Sequence, residues 1–304
     1  MKALLNSTVE KCRSYTALGR VATYIPELAF ANRENIGVAI ALDGGEIVTA
    51  ADSGVQFTMQ SIVKPIILLA ALEDNGFDRV RTLVGVEATG KPFDSFNYSD
   101  LALTGDHINP MVNTGAIALC SLIKGDSYEE KFERLLTLTR RLAGNADIHL
   151  NERVYLSEKA TGNKNRALAY LLKAYGLIDC DAEQVVDLYF KACSISVCCT
   201  DLAKIGYVFA LHGKSTDGER IFPEVYARYV NAMLTICGMY DGSGEFALNV
   251  GIPAKSGVGG GIMAAVPGKM GIGVFSPALD GKGNSVAGLQ LLRHLSEELE
   301  LSIF

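Results

Sequence analysis

Gln60-Ser61-Ile62-Val63-Lys64-Pro65-Ile66-Ile67-Leu68-Leu69-Ala70-Ala71-Leu72 is the stretch from which the architecture of this chain can be read. A serine and a lysine three residues apart on one helical turn face the same side. The amine can then take the hydroxyl proton without a histidine, one way of making a serine nucleophilic. Pro65 fits only the first turn of a helix, because deeper it would delete a backbone hydrogen bond and clash. The apolar run 66–72 continues as a buried helix, with Ser61 at its N-terminus, where free N–H groups and the helix dipole favour developing negative charge. The spacing by itself is unselective, since Ser121-Leu122-Ile123-Lys124 repeats it. That copy ends an apolar stretch and runs into Gly125-Asp126, so its turn frays into a loop. Ser61 is the nucleophile candidate and Lys64 its base.

Lys255-Ser256-Gly257, far downstream, is the companion motif. Penicillin-recognising serine enzymes carry such a segment as a second active-site element, on an edge strand beside the nucleophile. The pair of motifs reads as a serine acyl-transfer enzyme of that architecture. The segment Ala254-Lys255-Ser256-Gly257-Val258-Gly259-Gly260-Gly261 fails as a phosphate loop, because Ala254 stands where Walker A needs glycine. It fails as a dinucleotide fingerprint because Ile262 takes the place of the last glycine. A flexible turn before a strand is the bland alternative. In the functional reading the glycines let backbone approach a substrate closely, and the N–H of Val258 forms an oxyanion hole with that of Ser61. A base role for Lys64 needs a pKa below the usual ~10.4. Burial and the nearby charge of Lys255 both push in that direction.

The 304 residues allow one large domain or two. With 49% hydrophobic and 20% charged residues, the chain has the composition of a packed globular enzyme. A net charge of −6 with no basic cluster gives no footprint for nucleic acid. The first seven residues lack the apolar core of a secretory signal, and the run 66–72 is too short to span a bilayer. Seven cysteines, with no Cys-x-x-Cys and no His-Glu-x-x-His, argue against a disulfide framework or a metal site. The expectation is a cytoplasmic chain with reduced thiols, no metal, no cofactor and no membrane partner.

Residues 36–41 and 46–50 around Asp43-Gly44-Gly45 read as a β-hairpin. Residues 132–142, 165–175, 182–192 and 201–211 show helical apolar spacing. Thr200 is the expected N-cap of the last of these, and Gly176 the stop of the second. Pro223 suits the first turn of a helix running to about 237. Strands are expected at 261–266 and 271–275 around Pro267-Gly268-Lys269, and an amphipathic helix at 289–301. Strands at both ends with helices between give an α+β fold, an antiparallel sheet assembled from both termini with an inserted helical region. We expect one domain over 1–304, its α/β part about 1–75 and 240–304 and its helical part about 76–239.

The remaining signals are individually weak. His107, His149, His212 and His294 are scattered and read as surface or structural. Asn109 ahead of the helix containing Asn113 reads cheaply as an N-cap. Tyr155-Leu156-Ser157-Glu158 and Gly162-Asn163-Lys164-Asn165-Arg166 read equally well as capping or solvent-exposed segments, and Tyr189 and Tyr240 do not stand out.

Together, however, the segments resemble the serine-dependent glutaminase family. The matching strings are Tyr24-Ile25-Pro26-Glu27-Leu28-Ala29, Gln60-Ser61-Ile62-Val63-Lys64-Pro65, residues 109–117, Cys237-Gly238-Met239-Tyr240, Gly251-Ile252-Pro253-Ala254-Lys255-Ser256-Gly257-Val258, and Ser276-Pro277 through Gly283-Asn284-Ser285. They run in family order across nearly the whole chain. The resemblance implies a β-lactamase-like fold, hydrolysis of L-glutamine to L-glutamate and ammonia, no metal, and a homodimer or homotetramer. It makes Ser61 the nucleophile and Lys64 its base, and brings Asn113, Glu158, Asn165, Tyr189, Tyr240 and Val258 to the substrate. Tyr24 matches an active-site tyrosine, and either Tyr24 or Tyr240 is expected to relay the proton to ammonia. The chain departs from the family at Ala88-Thr89-Gly90 and Phe93-Asp94, where Pro-Ser-Gly before Phe-Asn is usual. It also reads as lacking the ankyrin-type and long N-terminal extensions of animal members.

Two other readings compete. A penicillin-binding protein or β-lactamase shares both motifs, but this chain offers no clear Ser-Asp-Asn element and no export signal. A non-catalytic glutamine sensor would keep the pocket, yet intact Ser61 and Lys64 argue against it.

Overall fold

The computed structural model describes residues 1–88 and 108–304. Its strands are β1 (Gly37–Ala41), β2 (Ile47–Ala51), β3 (Phe57–Thr58), β4 (His149–Leu150), β5 (Ile195–Val197), β6 (Ala254–Ser256), β7 (Gly261–Val266) and β8 (Met270–Phe275). Its helices begin with α1 (Lys2–Cys12), α2 (Lys64–Arg81), α3 (Asn113–Cys120), α4 (Tyr128–Ala143), α5 (Glu152–Thr161) and α6 (Asn163–Ala174). They continue with α7 (Ala182–Cys193), α8 (Cys199–Ala210), α9 (Glu224–Cys237), α10 (Ser243–Asn249) and α11 (Val286–Leu299).

Five strands form an antiparallel sheet in the order β2-β1-β8-β7-β6, so both ends of the chain contribute to it. All but the edge strand β2 are buried on both faces, which explains why β1, β7 and β8 read as nearly continuous apolar runs. Val38, Ile40, Ile262, Ile272 and Val274 face the terminal helices α1 and α11, where Leu5, Val9, Leu291 and Leu295 complete one core. Ala39, Ala41, Met263 and Ala265 belong to a larger core with α2 to α9. Helix α8 lies directly on that face because β8 offers glycine there. A Cβ on Gly271 would stand 2.0 Å from the Ala203 carbonyl oxygen, and one on Gly273 would stand 2.1 Å from that of Cys199. Glycine lets the helix backbone approach as no other residue could.

A second, three-stranded sheet, β3-β5-β4, leads into the Ser61 segment. β3 ends at Thr58, and the Met59 N–H donates to the Ile195 carbonyl at 2.9 Å. Among the described residues no helix is long and apolar enough to cross a membrane. All seven cysteines are free thiols.

Several local expectations need correction. Ser61 does not lie in the α-helix but on a 3₁₀ turn, Gln60–Val63, and α2 starts at Lys64 with Pro65 inside its first turn. The N-cap of α8 is Cys198 rather than Thr200, because the Cys198 N–H is held by Asp201 Oδ2 at 2.9 Å. Pro223 precedes α9 as its N-cap. The closing helix starts earlier than 289, since Ser285 Oγ accepts from the Gly288 N–H at 3.1 Å and caps it. Asn109 is no helix cap either. It ties chain segments together, accepting from the Met111 N–H and donating to the Glu87 carbonyl and Cys237 Sγ. The family departure after Ala88 lies outside the described residues, as does His107.

Candidate active site

A cavity of about 400 Å³ opens where the Ser61 turn, α3, the α5–α6 junction and α7 converge. Tyr24, Gln60, Ser61, Asn113, Glu158, Asn165 and Tyr189 line it, so seven side chains from six separate segments meet. Ile25, Gly162, Lys164 and Cys193 contribute to the same wall.

The turn bearing Ser61 is strained. Gln60 has φ +48°, a left-handed conformation that a glutamine rarely adopts. The kink carries Ser61 out of the helix path and leaves its N–H without a backbone partner among the described residues. The Val258 N–H is likewise unpaired there. β6 is an edge strand whose end closes on the turn. A Cβ on Gly257 would stand 2.4 Å from the Met59 carbonyl oxygen, so only glycine permits the approach. Val258 is buried and lines a neighbouring open groove with Tyr24.

Behind Ser61 sit two fully buried lysines, Lys64 and Lys255. Lys64 Nζ donates to Asn113 Oδ1 at 2.7 Å. Lys255 Nζ donates to the carbonyls of Gly238 and Ser256 at 3.0 and 2.9 Å and lies 4.3 Å from the centre of the Tyr240 ring. Burial, reinforced by the nearby Lys64 charge, holds the Lys255 amine well below its ordinary pKa. Tyr240 also sits at positive φ, +53°. Its hydroxyl donates to the Ser256 carbonyl at 3.1 Å and shares a hydrogen bond with Ser61. Burial pushes this phenol above its usual range, and the Ser61 contact works against the shift.

On the opposite wall Asn113 is a hub. Its Oδ1 accepts from Lys64 and, at 3.3 Å, from the Tyr189 hydroxyl, while its Nδ2 donates to Asn165 Oδ1 at 3.0 Å. Glu158 is 5% exposed, and its Oε2 has no hydrogen-bond partner. Burial pushes its carboxyl from the ordinary 4.5 up to about 8, although a hydrogen bond from Gln60 and the Lys64 charge pull the other way. Glu158 thus brings to the cavity wall a buried carboxyl with one oxygen that no protein donor satisfies.

Of the residues marked from the sequence, Tyr24, Ser61, Asn113, Glu158, Asn165 and Tyr189 line this cavity, Lys64, Tyr240, Lys255, Ser256 and Gly257 lie behind it, and Val258 lines the neighbouring groove. Tyr24, at 58% exposed, stands at the rim. The unforeseen participants are Gln60, which holds Glu158, and Cys193, a buried thiol beside Tyr189. A glutamine directly before Ser61 in an otherwise apolar run was the available signal for the first. His149, His212 and His294 take no part in the cavity. Among the described residues no three His, Cys, Asp or Glu side chains converge as a metal site would need.

The glutaminase family model matches residues 19–304. Glutaminase 2 of Clostridium perfringens is 52% identical over 305 residues, covering the whole of both chains. The glutaminase of Clostridioides difficile is 50% identical over 304 residues, covering all of this chain and 98% of its own. Among solved structures, a probable glutaminase from Bacillus subtilis complexed with 6-diazo-5-oxo-L-norleucine superposes with a TM-score of 0.91 at 38% identity, over 100% of this chain and 97% of that one. Mglu in its glutamate form gives 0.94 at 38% identity, over 100% of this chain and 69% of that one. These full-length matches set aside the penicillin-binding alternative and the non-catalytic one: the chain belongs to the glutaminase family, amide hydrolases with the β-lactamase-like fold.

Proposed function

We propose that the chain hydrolyses L-glutamine to L-glutamate and ammonia through a γ-glutamyl ester on Ser61. The observation that carries this reading is the shared cavity of Ser61 and Glu158, whose unpaired oxygen offers a partner to an α-ammonium. Peptide-linked glutamine lacks that cation. The relative solved with 6-diazo-5-oxo-L-norleucine supports it, because that compound is an α-amino acid with a ketone where glutamine has its amide carbon.

In the first step Lys64, neutral at the moment of attack, accepts the Ser61 proton while Oγ bonds to the amide carbon. The carbonyl oxygen, now negative, receives the N–H groups of Ser61 and Val258. Tyr240, hydrogen-bonded to Ser61, passes the proton to the departing nitrogen, and the C–N bond breaks to release ammonia. Its contact with Ser61 favours it over the exposed Tyr24 for this relay. Water then attacks the ester and gives a proton to Lys64, neutral again at this stage; Lys64 returns that proton to the Ser61 oxygen as the C–O bond breaks, and glutamate leaves. Lys255 acts from behind, where its position beside Lys64 disfavours a second positive charge. Asn113 does more than reach the substrate. It orients Lys64, while Asn165, and Tyr189 once released from Asn113, donate to the carboxylate.

The test is Ser61→Ala, assayed by ammonia release from glutamine. Turnover falls to background while the fold, followed by circular dichroism, is retained. Near-full activity would remove Ser61 as nucleophile. We further propose a single catalytic domain that assembles as a homodimer or homotetramer in the cytoplasm, an assembly measurable by light scattering.

A further inference from the structure

Outside the cavity, Asp187 on α7 gathers more partners than any exposed role requires. Its Oδ2 accepts from the Tyr128 hydroxyl of α4 at 2.6 Å. The Tyr155 hydroxyl of α5 donates to its two oxygens at 2.9 and 3.0 Å, and Lys159 Nζ of α5 lies 2.9 Å from Oδ1. Lys159 also donates to the Tyr155 hydroxyl at 3.0 Å. One turn further along α7, Lys191 Nζ stacks over the rings of Tyr128, Phe132 and Tyr155 at 4.4, 5.4 and 5.7 Å. The carboxylate thus ties three helices at one point, within 17% side-chain exposure.

The sequence positions give this clamp its consequence. Tyr155 and Lys159 are one turn apart on α5, and Glu158 projects from the same turn into the cavity. Asp187 and Lys191 are one turn apart on α7, and Tyr189 and Cys193 alternate with them along the cavity side. We propose that Asp187 is a positioning residue which closes the α5–α7 seam, holding the Glu158 carboxylate dry and aimed at the substrate α-ammonium. The inference rests on the role given to Glu158 above. The surroundings support it. Glu158 is faced by Gln60 and Lys64 from the nucleophile segment, Tyr189 and Cys193 from α7, and Tyr24 and Lys164 at the rim. The closed seam lies one turn away on the same helix, and burial is the leading cause of the raised Glu158 pKa. Asp187 itself stays ionised, since the two tyrosines and Lys159 lower its carboxyl against the cost of burial.

The test compares Asp187→Ala, Asp187→Asn and Tyr128→Phe with the wild type by two readouts. Infrared titration follows the protonated Glu158 carboxyl band, assigned by its loss in Glu158→Gln, and needs no turnover. Steady-state kinetics give kcat and KM across pH. In Asp187→Ala the band titrates at least about one pH unit lower, because water enters the seam. KM for glutamine rises about tenfold or more, with kcat changed less than about threefold. Asp187→Asn restores part of both, since its amide oxygen still accepts the tyrosine hydroxyls. If Asp187→Ala does not fold, Tyr128→Phe gives a smaller shift in the same direction. An unmoved Glu158 band in the folded variants overturns the inference, as does an activity loss that follows only the loss of folded protein. Wild-type kcat/KM in Glu158→Gln would instead overturn the α-ammonium assignment, whatever the band does in the Asp187 variants.

Discussion

Glu158→Gln separates what the carboxylate does for binding from what it costs the fold. The carboxyl is almost wholly buried and its pKa is raised from 4.5 to about 8, with burial the first cause. A folded-state pKa above the unfolded one means that the native state holds a proton which the unfolded chain has released. Stability is therefore complete below pH 4.5 and declines as pH rises through about 8. At 1.36 kcal/mol per unit the loss from this one group approaches about 5 kcal/mol as an upper bound. That is a large fraction of the roughly 5–15 kcal/mol by which domains are stable. Glutamine at position 158 has no charge to bury, so the variant should escape this decline. Urea unfolding at intervals between pH 4.5 and 9 should show the two proteins diverging by several kcal/mol, with the variant gaining at the alkaline end. Activity should move the opposite way. Removing one partner of a desolvated charge pair costs roughly 2–5 kcal/mol, so kcat/KM for glutamine falls at least about tenfold. The wild type should also leave α-N-acetylglutamine untouched. Parallel stability curves for the two proteins, or efficient hydrolysis of the acetylated substrate, would refute the reasoning.

Lys64→Arg should lose at least about 100-fold in kcat, because a guanidinium does not release its proton and general base catalysis contributes on that scale; substantial activity would assign the base elsewhere. Tyr240→Phe removes the hydroxyl shared by Ser61 and the Ser256 carbonyl, so kcat should drop about 100-fold with KM little changed, and an unchanged kcat would take the relay from this tyrosine. Gly257→Ala forces a Cβ to within 2.4 Å of the Met59 carbonyl, separating β6 from the nucleophile turn; the expected loss is about 1–3 kcal/mol of stability together with most of kcat. A variant that packs and turns over like the wild type would show that the close approach is dispensable.

Much of the fold was legible because its signals are local. The hairpin around Asp43-Gly44-Gly45, the strands on either side of Pro267-Gly268-Lys269 and the helices over α4, α6, α7 and α8 follow from period and punctuation. The errors were also local. Cys198 outcompeted Thr200 as a cap because Asp201 sits three residues beyond it, where its carboxylate can reach back to the Cys198 N–H. Asn113, Asn165, Glu158 and Tyr189 carry no signature of their own, and only their matched order along the chain brought them forward. Their meeting depends on contacts between residues 49 and 76 positions apart in sequence, which no periodicity encodes.

What escaped the sequence altogether has one physical character: it breaks local rules. Gln60 and Tyr240 occupy left-handed backbone and Glu158 holds an oxygen with no partner, beside the two fully buried lysines whose proximity was expected. Each of these costs on the order of 1–3 kcal/mol or more when considered alone. A propensity-based reading assigns such residues to turns, surfaces or caps, because those are the cheaper states. They are held here by a rigid surround, in which β6 is pressed on the turn by Gly257 and α5 is fastened to α7 by Asp187. The kink at Gln60 precedes Ser61, and burial together with the Lys64 charge disfavours a charge on Lys255. The unpaired Glu158 oxygen is available because no protein donor was allowed to satisfy it. Under the function proposed here, the α-ammonium of glutamine is the partner left out in folding, and part of the free energy withheld there returns on binding.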